Sequence, residues 1–280
     1  MKIIDAHVHF WNPAELHYDW LSEAEPIKDP HLPIDYTDAI SDLDVQGLVF
    51  VEADCRAEQR LDEVAWIESL ARTDSRIKAI VAAAPMETGE AVATHLEWLT
   101  KSPLVKGVRR LIQSEPLGFS TQANFIKAIQ LLPKFQLRFD LCIKHLQFSD
   151  ILSLVESCPD TSFILDHIGK PAIVDGALDP WRDDLKALAE FPNVLGCKLS
   201  GMITEACWET WSTDDLRPYL EHSIESFGVD RVLYGSDWPV SVLAGGYQRW
   251  WQAFATVLDQ LDPVDQAKIT SENAQRIYGL

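Results

Sequence analysis

The chain lacks any run of about 18 apolar residues, the length that crosses a bilayer as a helix. Its first apolar segment, Ile3 to Trp11, is interrupted by Asp5, His7 and His9. No membrane span is expected, and that segment reads as a folded element rather than a leader. Cysteine is sparse: the five, at positions 55, 142, 158, 197 and 207, are scattered, odd in number and form no CxxC pair. That pattern excludes a disulfide framework and a zinc-finger site, and it fits a reducing cytoplasm. Positive charge is scarce as well, with 24 Lys and Arg against 43 Asp and Glu, a net charge of −19. Such a surface repels phosphate backbones, so nucleic acid is not an expected partner. Also missing are GxGxxG after the first strand, a Walker sequence and GxSxG; "YGSDW" only puts Ser236 at a strand end. These absences argue against a dinucleotide-binding sheet, a P-loop enzyme and a serine hydrolase.

What is present is ample apolar material, 47% of 280 residues, ordered into a repeating pattern. Short β-rich runs occur at 3–10, 47–54, 78–85, 105–112, 138–145, 162–169, 194–201 and 231–239. Several, such as "LVFVEAD" and "FILDHIG", are almost continuously apolar, as in parallel strands covered on both faces. Amphipathic helical patterns follow each of them, at 36–45, 58–73, 87–101, 121–135, 148–157, 180–191, 213–227 and 247–261. The ending "PVDQAKITSENAQRIYG" adds one helix, or two split near Thr270. Eight βα units without a composition break predict a single (β/α)₈ barrel domain over residues 1–280, with a C-terminal helical extension. The 24 residues from Trp11 to Ile34 form a long loop over the C-terminal mouth, where such loops are often functional.

Barrel active sites lie at the C-terminal ends of the strands, and polar residues collect there. Strand one carries His7 and His9, which simple alternation puts on one face with Asp5. Strand two ends with Glu52 and Asp54, strand four with Arg109 and Arg110, and strand five with Lys144 and His145. Strand six ends with Asp166 and His167, strand seven with Lys198 and Ser200, and strand eight with Asp237. Of the adjacent arginines only one can face inward, and Arg109 is the choice. Two histidines and a carboxylate at one point can hold zinc or a similar divalent ion with a water. A further Asp or His can then carry the proton from water to leaving group. Trp11, Trp20, Trp208 and Trp238 fall on mouth loops and are candidates for a pocket wall, whereas Cys142 and Cys197 read as small core residues.

Taken in order, "DAHVHFWNP", "YDWL", "VKGVRRLIQ", His145, "LDHIGKP", "KLSG", "FGVDRVLYGSDWPVS" and "YQRWW" resemble the amidohydrolase superfamily. The closer similarity is to its sugar-lactonase branch, which includes L-fuconolactonase, L-rhamnonolactonase and 2-pyrone-4,6-dicarboxylate lactonase. The resemblance implies a (β/α)₈ barrel that opens a lactone with an activated water. It assigns His7, His9 and Asp237 to one divalent ion, zinc by preference, although some members of the branch work without metal. It gives catalytic roles to Asp237, His145 and His167. The bridging lysine that holds two metals on strand four elsewhere has no counterpart, because Lys106 sits at the start of that strand. Glu52, Asp54, Arg109, Lys144, Lys198, Trp208 and Trp238 are expected to bind substrate, the acids taking hydroxyls and the indoles a sugar's apolar face. The implied substrate is an aldonolactone, with an anionic pyrone dicarboxylate as the alternative. A homodimer is the one protein partner left open.

Overall fold

Eight of the apolar runs become strands of one parallel sheet in the computed structural model, which describes all 280 residues. They are β1 (Ile3–Val8), β2 (Val45–Val51), β3 (Ile77–Ala83), β4 (Val105–Arg109), β5 (Arg138–Leu141), β6 (Phe163–Leu165), β7 (Val194–Leu199) and β8 (Val232–Tyr234). Each pairs with the next in sequence. The circle closes beyond β8, where Val8 bridges Trp238 in parallel, Asp237 N donates to His7 O at 2.9 Å and His9 N to Trp238 O at 2.8 Å. The segment that closes the barrel therefore also delivers Asp237 beside His7 and His9.

Helices α1 (Pro33–Ile40), α2 (Arg60–Ala71), α3 (Ala93–Leu99), α4 (Ala123–Ile129), α5 (Phe148–Ser157), α6 (Trp181–Ala189), α7 (Thr213–Phe227) and α8 (Gly246–Leu258) follow the strands. They bury the main core against the outer strand faces, from Ile3 and Tyr36 round to Trp250 and Phe254. Several helices are shorter than their amphipathic patterns suggest, for local reasons. Pro33 starts α1 early, with the Asp35 carboxylate accepting the Leu32 N–H at 2.8 Å, and Ser41 in the left-handed region ends it. Left-handed Gly89 kinks the stretch before α3, and Pro133 turns the end of the α4 pattern into a 3₁₀ turn. The terminal pattern does split near Thr270, into α9 (Pro263–Ala267), a π turn over Lys268–Glu272 and α10 (Asn273–Tyr278). A second, smaller core lies within the barrel, where Ile4, Ala6, Val49, Val51, Ala79, Val81, Ile164 and Leu233 meet Ala274, Ile277 and Tyr278 of α10.

The long loop after β1 folds on itself. Trp11 and His31 exchange backbone hydrogen bonds at its neck (3.1 and 2.9 Å), and the Trp11 indole N–H donates to Ile27 O and Asp29 O. Leu16, Tyr18, Leu21 and Ile27 pack with Trp11 and with Ala53 and Cys55. Its apolar residues thus form a small cluster seated on the end of β2, and the loop is anchored over the mouth.

Candidate active site

Simple alternation fails in β1, and the site depends on that failure. The β1–β2 register shifts between Asp5 and Val8. Asp5 faces the helix layer, accepting the Tyr36 hydroxyl at 2.9 Å and the Ser236 N–H at 2.8 Å. His7 and His9 instead turn to the barrel axis, so the expected common face of all three is corrected by one irregularity in the ladder.

On the axis, His7 Nε2 lies 3.2 Å from His9 Nε2, while Asp237 Oδ1 is 3.3 Å from His9 Nε2 and 3.8 Å from His7 Nε2. His167 joins from the β6 end, its Nε2 3.9 Å from Asp237 Oδ1 and its ring centroid 4.3 Å from that of His7. The other ring nitrogens are engaged. His9 Nδ1 meets Val51 O at 2.7 Å, His7 Nδ1 meets Asp166 Oδ1 at 3.3 Å, and His167 Nδ1 meets Ser200 Oγ at 2.9 Å. Val51 O can only accept, so His9 carries its proton on Nδ1 and turns its Nε2 lone pair inward, whereas His7 Nδ1 lies 3.3 Å from both Asp166 Oδ1 and Lys198 Nζ. The His9 lone pair and the Asp237 carboxylate repel unless something positive lies between them. An Arg109 Nη1 3.4 Å from His7 Nε2 supplies only one donor. A tetrahedral ion with bonds of about 2.0–2.1 Å holds its ligand atoms roughly 3.3 Å apart. Two of the three separations among His7, His9 and Asp237 match that spacing and the third, at 3.8 Å, is wider, with His167 within reach.

These groups titrate unusually. Burial works against charge on Asp237, but the surrounding His167, His9 and His7 outweigh it and hold the carboxyl well below the usual range. Burial also pushes His7 down and His167 down to about 4. The Asp237 carboxylate therefore stays ionised beside neutral His7 and His167, an acceptor for positive charge at the foot of the cavity.

Beneath it runs a buried chain of alternating charge. Glu52 Oε2 accepts the Asp54 N–H at 2.8 Å, and its Oε1 takes Arg109 Nε at 2.7 Å. Arg109 Nη1 reaches Asp166 Oδ2 at 3.1 Å, and Asp166 Oδ1 meets Lys198 Nζ at 2.9 Å. Lys198 Nζ donates in turn to Asp140 Oδ2 at 2.6 Å. All five side chains are buried. Desolvation disfavours the Lys198 ammonium, but Asp140 and Asp166 more than compensate, so it stays charged. His7 rests on this chain, touching Arg109, Asp166 and Lys198.

The chain corrects several expected substrate contacts. Glu52 and Lys198 are spent on each other's neighbours and do not line the cavity, and Arg109 reaches its wall with its fork already divided between Glu52 and Asp166. Arg109 is nevertheless the inward arginine; Arg110 turns out to Glu87 and Glu115. Lys144 is exposed and His145 half-buried, with its Nδ1 3.0 Å from Lys170 O; neither lines the cavity, because β5 ends at Leu141 and the chain turns away before them. Trp208 is exposed, its indole donating to Thr204 O. Trp238 is buried among Phe10, Tyr36 and His31, a packing group rather than a pocket wall.

The cavity itself, about 270 Å³, opens over His9, His167 and Asp237. Asp54 is in its wall, as expected, with burial and the nearby Glu52 raising its carboxyl. Trp11 and Trp20 pack edge to face against each other on one side of it, centroids 5.2 Å apart, the latter donating to Ala53 O. Gln113, Ser114, Cys142 and Lys170 complete the polar side. Lys170 was legible, since it belongs to "DHIGKP"; burial opposes its charge, but Cys142, Glu205 and Asp237 raise it above an ordinary lysine. Gln113 and Ser114 carried no signal beyond following the fourth strand.

Backbone strain gathers at the same place. Asp54, His167, Ile168, Lys170 and Asp237 all have φ between 48° and 56°. For branched Ile168 that is a costly conformation, of a kind found where function needs it. Gly201 closes the back of the site: a Cβ there would stand 2.4 Å from His167 Nδ1, and its φ of 61° is one that glycine adopts without strain. Only glycine allows His167 its place.

One buried acid gives the site a pH signature. Glu63 on α2 accepts the Ala53 N–H at 3.2 Å, and burial, followed by Glu52, pushes its carboxyl up to about 8. Unfolding releases that proton at any pH between the ordinary value and 8. Stability from this group is therefore complete below the unfolded value and is lost as pH rises through about 8. His167, depressed to about 4, acts oppositely, but only below about 6.5, its usual unfolded value. Between pH 6.5 and 8, Tm should fall, and Glu63→Gln should flatten that fall. Thermal unfolding across this range checks it; parallel curves for both proteins would contradict it.

No helix is long and apolar enough to cross a membrane. The family model described as amidohydrolase matches residues 4–280. An L-fucono-1,5-lactonase of Burkholderia multivorans is 29% identical over 296 residues, covering 99% of this chain and 96% of the relative. An L-rhamnono-gamma-lactonase of Scheffersomyces stipitis is 26% identical, covering 100% and 99%. A crystal structure of a Burkholderia multivorans amidohydrolase with bound zinc superimposes with a TM-score of 0.89 at 27% identity, each chain covered completely.

Proposed function

The chain belongs to the amidohydrolase family, and from that premise we propose that it is a lactonase that opens a neutral sugar aldonolactone such as L-fucono- or L-rhamnonolactone. The convergence of His7, His9 and ionised Asp237 beneath a cavity of mixed polar and indole walls carries this reading. Full-length similarity to curated lactonases supports the reaction class.

The donor spacing fits a divalent ion on His7, His9 and Asp237, with zinc the natural candidate given the zinc-bound neighbour. Such an ion would acidify a water and polarise the lactone carbonyl. The chain's own groups do the rest. Asp237 takes the proton as the water oxygen bonds to the carbonyl carbon. It returns that proton to the ring oxygen as the carbon–oxygen bond breaks, leaving a hydroxy acid. Neutral His167, set by Ser200, borders that path, and Lys170 supplies positive charge to the developing oxyanion. Trp20, backed by buried Trp11, offers an apolar face to sugar C–H groups, while Asp54, Gln113 and Ser114 take hydroxyls.

The choice of a neutral substrate follows from the cations. Arg109 is divided between Glu52 and Asp166, and Lys170 has Glu205 at 3.7 Å. Of the cavity cations only Lys170, with Glu205 beside it, is left for a pair of carboxylates, and a net charge of −19 does not steer a dianion inward. The kcat/KM for aldonolactones should therefore exceed that for 2-pyrone-4,6-dicarboxylate. A tenfold preference for the dicarboxylate, about 1.4 kcal/mol of transition-state binding, would replace the sugar reading with the anionic one. We further expect the protein to work in the cytoplasm, with a homodimer left open, binding neither nucleic acid nor membrane.

A further inference from the structure

Helix α10 closes the floor of the barrel with Ala274, Ile277 and Tyr278, packed on Ile4, Val49, Ala79, Ile164 and Leu233. For sealing alone a phenyl ring would serve. Tyr278 also carries a fully buried hydroxyl, which donates to Asp140 Oδ2 at 2.8 Å. The same oxygen accepts Lys198 Nζ at 2.6 Å, and that nitrogen sits 5.5 Å from the centre of the Tyr278 ring. The other Asp140 oxygen has no partner, so two donors on one atom set how this carboxylate lies. Lys198 Nζ continues upward to Asp166 Oδ1 at 2.9 Å and His7 Nδ1 at 3.3 Å, and Asp166 Oδ1 is itself 3.3 Å from His7 Nδ1. An unbroken polar path thus joins the third residue from the C-terminus to the ring of His7.

The geometry points to Tyr278 as a positioning residue for the active site: through Asp140 and Lys198 it sets where the His7 ring stands. Without the hydroxyl, Asp140 keeps Lys198 as its one donor and can turn, and the ammonium that follows it shifts against Asp166 and the His7 ring. The inference rests on the proposed use of His7 as an ion ligand, and the test separates the two. Partners outside the ligand set typically change ion affinity or activity 10–100-fold, and a group acting through two others belongs at the low end.

The experiment compares wild type, Tyr278→Phe, Asp140→Asn and the double variant. It measures zinc affinity by competition with a chromophoric chelator, and kcat and KM on the best aldonolactone, with near-ultraviolet circular dichroism to verify folding. Each single variant should lose about tenfold in zinc affinity and in kcat, with KM within about twofold, and the double variant should be no worse than the worse single one. A Tyr278→Phe protein equal to wild type in both readouts overturns the inference, and so do losses that multiply in the double variant. If wild type takes up no zinc, the ion reading fails by itself. The inference is then decided on kcat: a fall in both single variants without additivity supports it, and unchanged turnover overturns it.

Discussion

Asp237→Asn is expected to fold as wild type does and to lose most of its turnover, by roughly 10²–10⁴-fold in kcat, the usual contribution of a general acid–base group. The substitution is nearly isosteric and keeps a carbonyl oxygen toward His9, so the barrel closure through the Asp237 N–H to His7 O is untouched. What disappears is the charge. The flanking histidines hold this carboxyl ionised in a buried position, and an amide there neither accepts a proton from water nor returns one to the ring oxygen. Turnover within about twofold of wild type would reduce Asp237 to a structural group.

Lys198→Met has the largest expected effect on stability. Lys198 is the cation between Asp140 and Asp166, all fully buried. A thioether of similar length fills the space but leaves two carboxylates side by side with only Arg109 nearby. Removing one partner of a buried ion pair costs about 3–5 kcal/mol, which for a chain of this size lowers Tm by roughly 5–9 °C. Asp140 and Asp166 then titrate more like a coupled acid pair, so part of the loss should be recovered at low pH as one of them takes up a proton. Urea unfolding at neutral and acidic pH measures both parts. A loss below about 1 kcal/mol would show that water or rearrangement compensates the acids, and that the charge chain does not support the site rigidly.

Much of this was readable beforehand. The eight βα units follow from parallel-strand hydrophobicity and helical periodicity, and the strand-end rule then brings His7, His9, His167 and Asp237 together. The sequence could not show which polar strand-end residues face substrate and which serve other polar residues. Glu52, Arg109 and Lys198 look like mouth groups in one dimension. In three they neutralise one another around Asp166, because a charge inside a barrel must be paired. Asp140, the missing partner, lies in mid-strand, where an acid draws little notice until Lys198 is seen opposite it. His145 and Lys144 were misplaced by counting strand five four residues too long, since "CIKH" extends the apolar run after the chain has already turned. The β1 irregularity that separates Asp5 from His7 leaves no trace in the hydrophobic pattern at all. Trp11 and Trp20 did line the pocket, whereas Trp208 and Trp238 did not: position on a loop says nothing of which way an indole points.

The most direct test is a continuous pH-indicator assay of acid release from L-fucono- and L-rhamnonolactone, using zinc-loaded protein with its Asp237→Asn variant alongside. The account predicts ring opening well above the spontaneous rate for at least one of these lactones, lost in the variant. Release at the spontaneous rate for every neutral aldonolactone offered, by protein that is folded and zinc-loaded, would contradict it.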